Sequence, residues 1–419
     1  MKPDWKDPRM ARAAWSRIAE PGDRAAGVLV QAIGPGEALT WLVDGAHKAG
    51  LARLEPLEPG AVPGQGGFFE DRAAQVRQDR GLAAAVKRWR PRLENLDPRR
   101  ELRVLEDLGG VLLIPEEEGW PVGLDDLGAD APLCLWGIGS VMRDATVSTA
   151  LARSAAVVGS RASTRYGEIV THEIVSCLVE RGVAIVSGGA FGIDAAAHRA
   201  ALGASGVTVA VMAGGVDRPY PAGNALLLGK VADSGALIAE VPPFSAPRRE
   251  RFLQRNRLIA AITQATVIVE AGWRSGAQST ARHGATLLRP VGAVPGPVTS
   301  PASAGCHRLI RENVATCVTD GPEVLELLDG CDAALADALE HGEQAGPLDD
   351  LPSTQRQVLD CLPLRGTAQV DALAAAAALP GRDVLAALGA LERTGLAERA
   401  DFGWRKARPG TASGAARGA

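Results

Sequence analysis

Three glycine-bearing runs and one arginine-rich run hold the residue types in this sequence that suit anion chemistry. The first is Gly159-Ser160-Arg161, directly after an apolar run ending at Val158. Glycine after a strand permits a tight turn and lets backbone N–H groups approach an anion at a helix N-terminus. The Ser160 hydroxyl adds a donor, and the Arg161 guanidinium adds a bidentate partner. The second run reads Ser187-Gly188-Gly189-Ala190-Phe191-Gly192-Ile193-Asp194. Its glycines stand ahead of a helical segment, the composition of a phosphate nest. Asp194 is placed as an N-cap and His198 lies four residues on, on the same helix face, so both read as structural. The third run, Gly214-Gly215-Val216-Asp217, leads to Tyr220, Pro221 and Asn224. The fourth spans 248–257 and contains Arg255-Asn256-Arg257, with five arginines against one glutamate. A local excess of positive charge points to an anionic partner; the plainer alternative is a solvated helix face.

The elements that must position these runs follow from hydrophobic pattern. Short apolar runs rich in Val and Ile at 155–158, 184–186, 207–212, 236–239, 266–269 and 291–294 predict strands buried on both faces. Segments of helical period separate them. In the first, Val170, Ile174, Cys177 and Leu178 fall on one stripe, and Gly182 stands where a C′ glycine belongs. Alternating strand and helix predicts an α/β fold with a doubly wound, mostly parallel, Rossmann-like sheet. In such sheets ligands bind beyond the carboxyl ends of the strands, which is where the three glycine runs stand.

Around this core, residues 1–98 read as a helical domain, with stretches at 12–18, 25–32, 37–42 and 82–90. A strand candidate at 110–114 and the run 134–136 lead into the main sheet, and the Rossmann-like domain is expected over 99–325. Residues 326–350, rich in Asp, Ala and Gly, read as a linker. Helices expected at 354–361, 370–377 and 382–392 and a strand-like tail at 396–404 predict a winged-helix domain over 351–406. Residues 407–419 are expected to be disordered.

Composition narrows the classes. Of 419 residues, 46% are apolar and 22% charged, and the net charge is −4. A chain of net negative charge does not coat nucleic acid by bulk charge, so any nucleic-acid contact must be local. The six cysteines form no CxxC pair and predict reduced thiols in a cytoplasmic protein. Charges at Asp4, Lys6, Asp7, Arg9 and Arg12 argue against a signal peptide, and no apolar stretch is long enough to cross a bilayer. No metal site or cofactor is expected. Cys306-His307 is isolated, His172-Glu173 lacks the second histidine of a zinc protease helix, and Gly223…Gly229-Lys230 is followed by Val231 where a P-loop has Ser or Thr.

The ordered motifs together resemble the DprA/Smf family of bacterial DNA-processing proteins. They are Gly159-Ser160-Arg161 with Tyr166-Gly167, the run from Ser187 to His198, and Gly214 to Asn224. Arg255-Asn256-Arg257, Glu270, Ser275-Gly276, Thr280-Ala281, Pro295-Gly296 and Gly305 to Ile310 follow. The resemblance implies an extended Rossmann fold that binds single-stranded DNA without catalysis. It also implies a homodimer, handover of the strand to the recombinase RecA in natural transformation, a SAM-like N-terminal domain and no cofactor. By carry-over, Gly159, Ser160, Arg161, Ser187, Gly188, Gly189, Phe191, Gly192, Gly214, Gly215, Arg255, Asn256, Arg257, Ser275 and Gly276 line the DNA site. Asp194, His198, Tyr220, Pro221 and Asn224 support it, and Phe191, Tyr166 or Tyr220 offers a ring to a base. The sequence departs from the family at Ala222, where a lysine is usual, which implies either a lower affinity or a charge contact carried by Arg218. It departs also at Ala239, Leu253 and Asn313-Val314. Two other readings stay open: a Rossmann nucleotide phosphoribohydrolase, whose Gly-Thr and catalytic Glu are missing here, and a duplex-DNA regulator acting through the C-terminal domain.

Overall fold

In the computed structural model, residues 4–44, 81–94, 96–143, 146–330, 351–363, 367–400 and 403–407 are described. The chain divides into two compact units, Met1–Ala334 and Leu335–Ala419.

The first unit is a mixed α/β structure around a nine-stranded sheet. Its strands in chain order are β1 (Val111–Leu113), β2 (Leu135–Ile138), β3 (Ser154–Val158), β4 (Ala184–Ser187), β5 (Thr208–Met212), β6 (Ala236–Ala239), β7 (Ala265–Ile268), β8 (Val291–Ala293) and β9 (Thr316–Cys317). They lie side by side as β1-β2-β6-β5-β4-β3-β7-β8-β9. Strands β3 to β9 are parallel, and β1 and β2 extend the sheet antiparallel beyond β6. Each of the six expected central strands forms within two residues of its predicted ends. The short edge strand β9, exposed at both residues, was not legible as a strand.

The strands are apolar throughout because both faces are covered. Ala156 and Val158 of β3 point into one core with Leu258, Ile259, Ala277, Ala281, Cys306 and Leu309. Their neighbours Ala155 and Val157 point to the other face, against Val170, Ile174, Leu178, Ile193 and Ala197. This period-two division between two helical layers is what a doubly wound sheet requires. Chain order reverses at β3. The path from β3 runs outward through β4, β5 and β6, and then the helix Arg249–Ala261 carries it back so that β7 pairs with the free side of β3. The carboxyl ends of β3 and β7 therefore flank a crevice, the topological switch point of the sheet.

The N-terminal helices Pro8–Ile18, Arg24–Ile33 and Pro35–Val43 pack with a helical segment at 81–89 around Trp15, Leu39 and Trp89. Trp15 and Trp89 meet edge to face at 5.2 Å. These helices belong to the same compact unit as the sheet. Arg12 reaches Glu116 and the Leu133 carbonyl, and the buried indole of Trp136 on β2 donates to the Ser16 hydroxyl at 3.1 Å. The helix Gly321–Asp329 crosses the boundary expected at 325 and buries Val324 in the sheet core.

The second unit contains the helices Ser353–Cys361, Val370–Ala377 and Gly381–Arg393 and an antiparallel pair, β10 (Ala397–Ala400) and β11 (Gly403–Lys406). Val358, Leu373, Val384, Leu388 and Trp404 form its core. The expected linker falls outside the described residues from 331 to 350, as does the expected tail from 408 onward. Among the described residues, no single helix is long and apolar enough to cross a membrane.

Trp136 joins the N-terminal helices to the sheet edge through packing and one hydrogen bond. Trp136→Ala is expected to lower stability by about 4 kcal/mol, the range of large-to-small aromatic truncations in a core. Urea denaturation monitored by far-UV circular dichroism checks this.

A pocket at the switch point of the sheet

The second glycine loop is already occupied by a carboxyl group, and that group belongs to the protein. Asp194 lies in the first turn of the helix Ile193–Gly203, whose N-cap is Gly192 and not Asp194 as the sequence pattern implied. Its buried carboxylate turns back to accept the backbone N–H groups of Gly188 at 3.2 Å and Ala190 at 3.4 Å. The nearby Gly159 amide of the first loop also favours its charged form. Two amides of the expected phosphate nest, those of Gly188 and Ala190, are thus engaged internally. Burial pushes the Asp194 carboxyl above its ordinary value, against the pull of Arg255 and of the three amides. Gly192 adopts φ +76° and sits against the Ser160 carbonyl, so the turn linking the two loops excludes a side chain.

Arg255 fastens the same loop from below. It is 6% exposed, and its Nη1 donates to the carbonyls of Gly188 at 2.6 Å and Val211 at 2.5 Å. A side chain at Gly188 would collide with this guanidinium, which explains the glycine by close approach. Burial lowers the Arg255 pKa to about 10, partly offset by Asp194, so the group remains a cation at neutral pH. Arg255 lines the floor of the switch-point pocket but is not the freely exposed phosphate ligand that the arginine run implied.

Arg257 is a clearer correction. It is 3% exposed and forms a two-point ion pair with Glu240, at 2.9 and 2.7 Å, while its Nε donates to the Asp130 carbonyl. It does not line the pocket. Arg251 likewise pairs with Glu20. Two of the five arginines at 248–257 are therefore paired with carboxylates, Glu20 and Glu240, that lie outside the run and that local charge counting does not see.

Other expected site residues prove to be framework. The Ser187 hydroxyl donates to the Val157 carbonyl and ties β4 to β3. Gly214 and Gly215 are covered by the segment 242–247, and the Gly215 N–H donates to the Ser245 carbonyl. The third glycine loop shares the rim but is closed. Gly189 is held by the Asn224 amide, which donates to the carbonyls of Gly189 and Ala190. His198 is fully buried, and its Nδ1 meets the Thr208 hydroxyl at 2.8 Å. Because that hydroxyl donates to the Ile185 carbonyl, Nδ1 carries the proton. Burial, with Arg255 and Arg199 nearby, depresses the His198 pKa to about 3. Tyr166 donates to the Pro295 carbonyl, and neither it nor Phe191 lines the pocket.

What remains open is a pocket of about 480 Å³ between the ends of β3 and β7. Gly159, Ser160 and Arg161 form one wall, Phe252 and Asn256 another, and Arg274, Ser275 and Gly276 the third. Arg161 and Arg274 are exposed, and neither forms an ion pair among the described residues. Arg161 lies over the Phe252 ring at 5.0 Å, and Tyr220 meets that ring at 5.8 Å, giving a cation and two rings in line. The Asn256 amide donates to the Gly276 carbonyl and fixes the third wall. Ser275 and Gly276 precede the helix Ala277–Thr286, whose N-terminus adds positive potential. Arg274 and Phe252 were not among the expected contacts. Arg274 was legible as the cation beside Ser275-Gly276, in the loop after the strand that flanks the switch point. Glu270, part of the same sequence signature, accepts the N–H and hydroxyl of Thr164 and so anchors the N-cap of the helix Arg165–Glu180. Among the described residues no cluster of His, Cys, Asp or Glu forms a metal site.

Two outcomes follow from the buried charges. Arg255→Leu strips a cationic donor from two buried carbonyls and is expected to cost about 3 kcal/mol in chemical denaturation. Since the folded-state pKa of His198 is depressed to about 3, its contribution is fully present above its unfolded value of about 6.5 and is lost as pH falls toward the folded value. His198→Leu should therefore flatten the fall in stability between these limits by about 1.4 kcal/mol per pH unit. Denaturation midpoints measured across that range check this.

Comparison with known proteins agrees with this geometry. A family model described as DNA recombination-mediator protein A matches residues 111–329. The putative DNA processing protein DprA of Mycobacterium tuberculosis is 46% identical over 329 residues, covering 76% of this chain and 82% of that protein. Protein Smf of Escherichia coli is 42% identical over 174 residues, covering 41% of this chain and 46% of that protein. The X-ray structure of DNA processing protein A from Streptococcus pneumoniae superposes with a TM-score of 0.51 at 31% identity, over 58% of this chain and 84% of that one. With a family model that matches half of the chain and a relative 46% identical over most of its length, the chain belongs to the DNA processing protein A (DprA/Smf) family.

Proposed function

We propose that this protein binds single-stranded DNA in the switch-point pocket, as a non-catalytic DNA-processing protein. The observation that carries the reading is the pair of uncompensated guanidinium groups, Arg161 and Arg274, on opposite walls of a pocket edged by Phe252. A chain of phosphates is neutralised by such cations, and an unpaired base stacks on an exposed ring or a guanidinium plane. Readout of a duplex calls for a helix or ribbon that enters a groove. The rim presents short loops around a recess, which favours a strand whose bases are splayed.

The acids near the pocket support binding over cleavage. Asp194 faces backbone amides and Glu270 faces Thr164. In this reading Arg255, Asp194 and Asn224 preshape the rim, while Arg161, Arg274 and the Phe252 ring touch the strand. The three helices and hairpin of the second unit are read as a winged helix that does not carry this site. Family membership, described as recombination mediation, supports delivery of the bound strand to the recombinase RecA by a homodimer.

Salt titration of a labelled oligothymidylate tests the pocket. Arg161→Ala and Arg274→Ala are each expected to reduce the dependence of log affinity on log salt by about 0.7, one phosphate contact on a single strand. Unchanged slopes and affinities for both variants contradict the reading. Release of free base from a nucleotide panel contradicts its non-catalytic part.

A further inference from the structure

A second arginine-lined cavity, of about 590 Å³, lies where the N-terminal helices meet the start of the helix Arg249–Ala261. Arg17, Arg92, Arg100, Arg248 and Arg251 line it with the Phe244 ring. Three acids face the same space: Glu20, Asp97 and Glu101. Their commitments are visible. Glu101 binds Arg17 at 2.6 Å, and Glu20 binds Arg92 at 2.7 Å and Arg251 at 2.9 Å. Asp97 caps the helix Pro98–Asp107 by accepting the Arg100 N–H. Two guanidinium groups are only loosely engaged. Arg248 is 64% exposed and stands 4.0 Å from an already doubly bound Glu20. Arg100 is exposed, with its Cζ 5.1 Å from the Phe244 ring centroid.

Phe244 is itself unusual. It holds φ +65°, a left-handed conformation costly for a bulky side chain, and its ring is 43% exposed. The Asp217 carboxylate fixes the conformation by accepting the Phe244 N–H at 3.0 Å. The guanidinium of Arg100 over the Phe244 ring parallels that of Arg161 over the Phe252 ring. The two cavities share the helix Arg249–Ala261. Arg248 and Arg251 face the second, while Phe252 and Arg255 face the first, so only the first helical turn, about 10 Å wide, separates them.

We propose that this groove is a second nucleic-acid subsite, where a strand seated at the switch point continues across the first turn of the helix Arg249–Ala261. Arg100 and Arg248 contact its phosphates and Phe244 takes an unpaired base. The inference rests on the single-strand reading above, and the test separates the two.

Fluorescein-labelled oligothymidylates of about six and about twenty nucleotides serve as short and long probes, bracketing the about 4–16 nucleotides that single-strand-binding OB folds cover. The double variant Arg100→Gln/Arg248→Gln alters two exposed side chains and is expected to melt like the parent. Its affinity for the long probe should fall about tenfold and its salt slope by about 1.4, two single-strand phosphate contacts. Its affinity for the short probe should not change. Arg161→Ala should weaken both probes. Parent-like binding of the long probe by the double variant, while Arg161→Ala weakens both, overturns the groove and leaves the pocket standing. Equal weakening of both probes by the double variant also overturns it, since that marks a general field effect. Failure of Arg161→Ala to weaken either probe removes the pocket reading itself.

Discussion

The rim of this protein depends on one buried carboxylate. Asp194 gathers two amides of the second glycine loop, and the buried Arg255 guanidinium holds the same loop by its Gly188 carbonyl. Neither group is comfortable in isolation. Burial moves each away from its charged form, and the surrounding dipoles and the opposite charge offset that cost. A loop held in this way is stiff. Its glycines are where they are because a guanidinium occupies the space of one side chain and a backbone carbonyl that of another.

This arrangement moves the anion site. A glycine nest with free amides would hold a phosphate itself. Here an internal carboxyl group takes two of its amides, and in the proposed reading the charge for an external polyanion comes from the side chains above, Arg161 on the β3 loop and Arg274 on the β7 loop. The reversal of chain order at β3 sets those loops opposite each other, and helices on both faces of the sheet fix the height of the rim. Side-chain cations on a fixed rim also tolerate any base sequence, since the rings beside them offer only a face.

Periodicity carried the architecture well. The central strands were legible because strands buried on both faces are apolar without interruption, and their order along the chain dictated a doubly wound sheet. The site was less legible, for a physical reason. Arg255 and Arg257 are neighbours in a charged run, yet their roles depend on Gly188, Val211 and Glu240, partners brought in by the sheet. Ser187 reads as an anion ligand until its hydroxyl is seen on the Val157 carbonyl. Gly214 and Gly215 read as an open turn until the chain returns at 242–247 to cover them. Local sequence reports which groups are able to bind an anion. Which of them stay free is decided by partners 17 to 67 residues away along the chain.

A crystal structure of the protein with a short oligothymidylate is the most direct measurement of this account. It predicts backbone phosphates within hydrogen-bond distance of Arg161 and Arg274, with the Asp194 carboxylate still on the amides of Gly188 and Ala190. A phosphate seated on those amides with Asp194 displaced, or a strand bound away from the β3–β7 crevice, would contradict it.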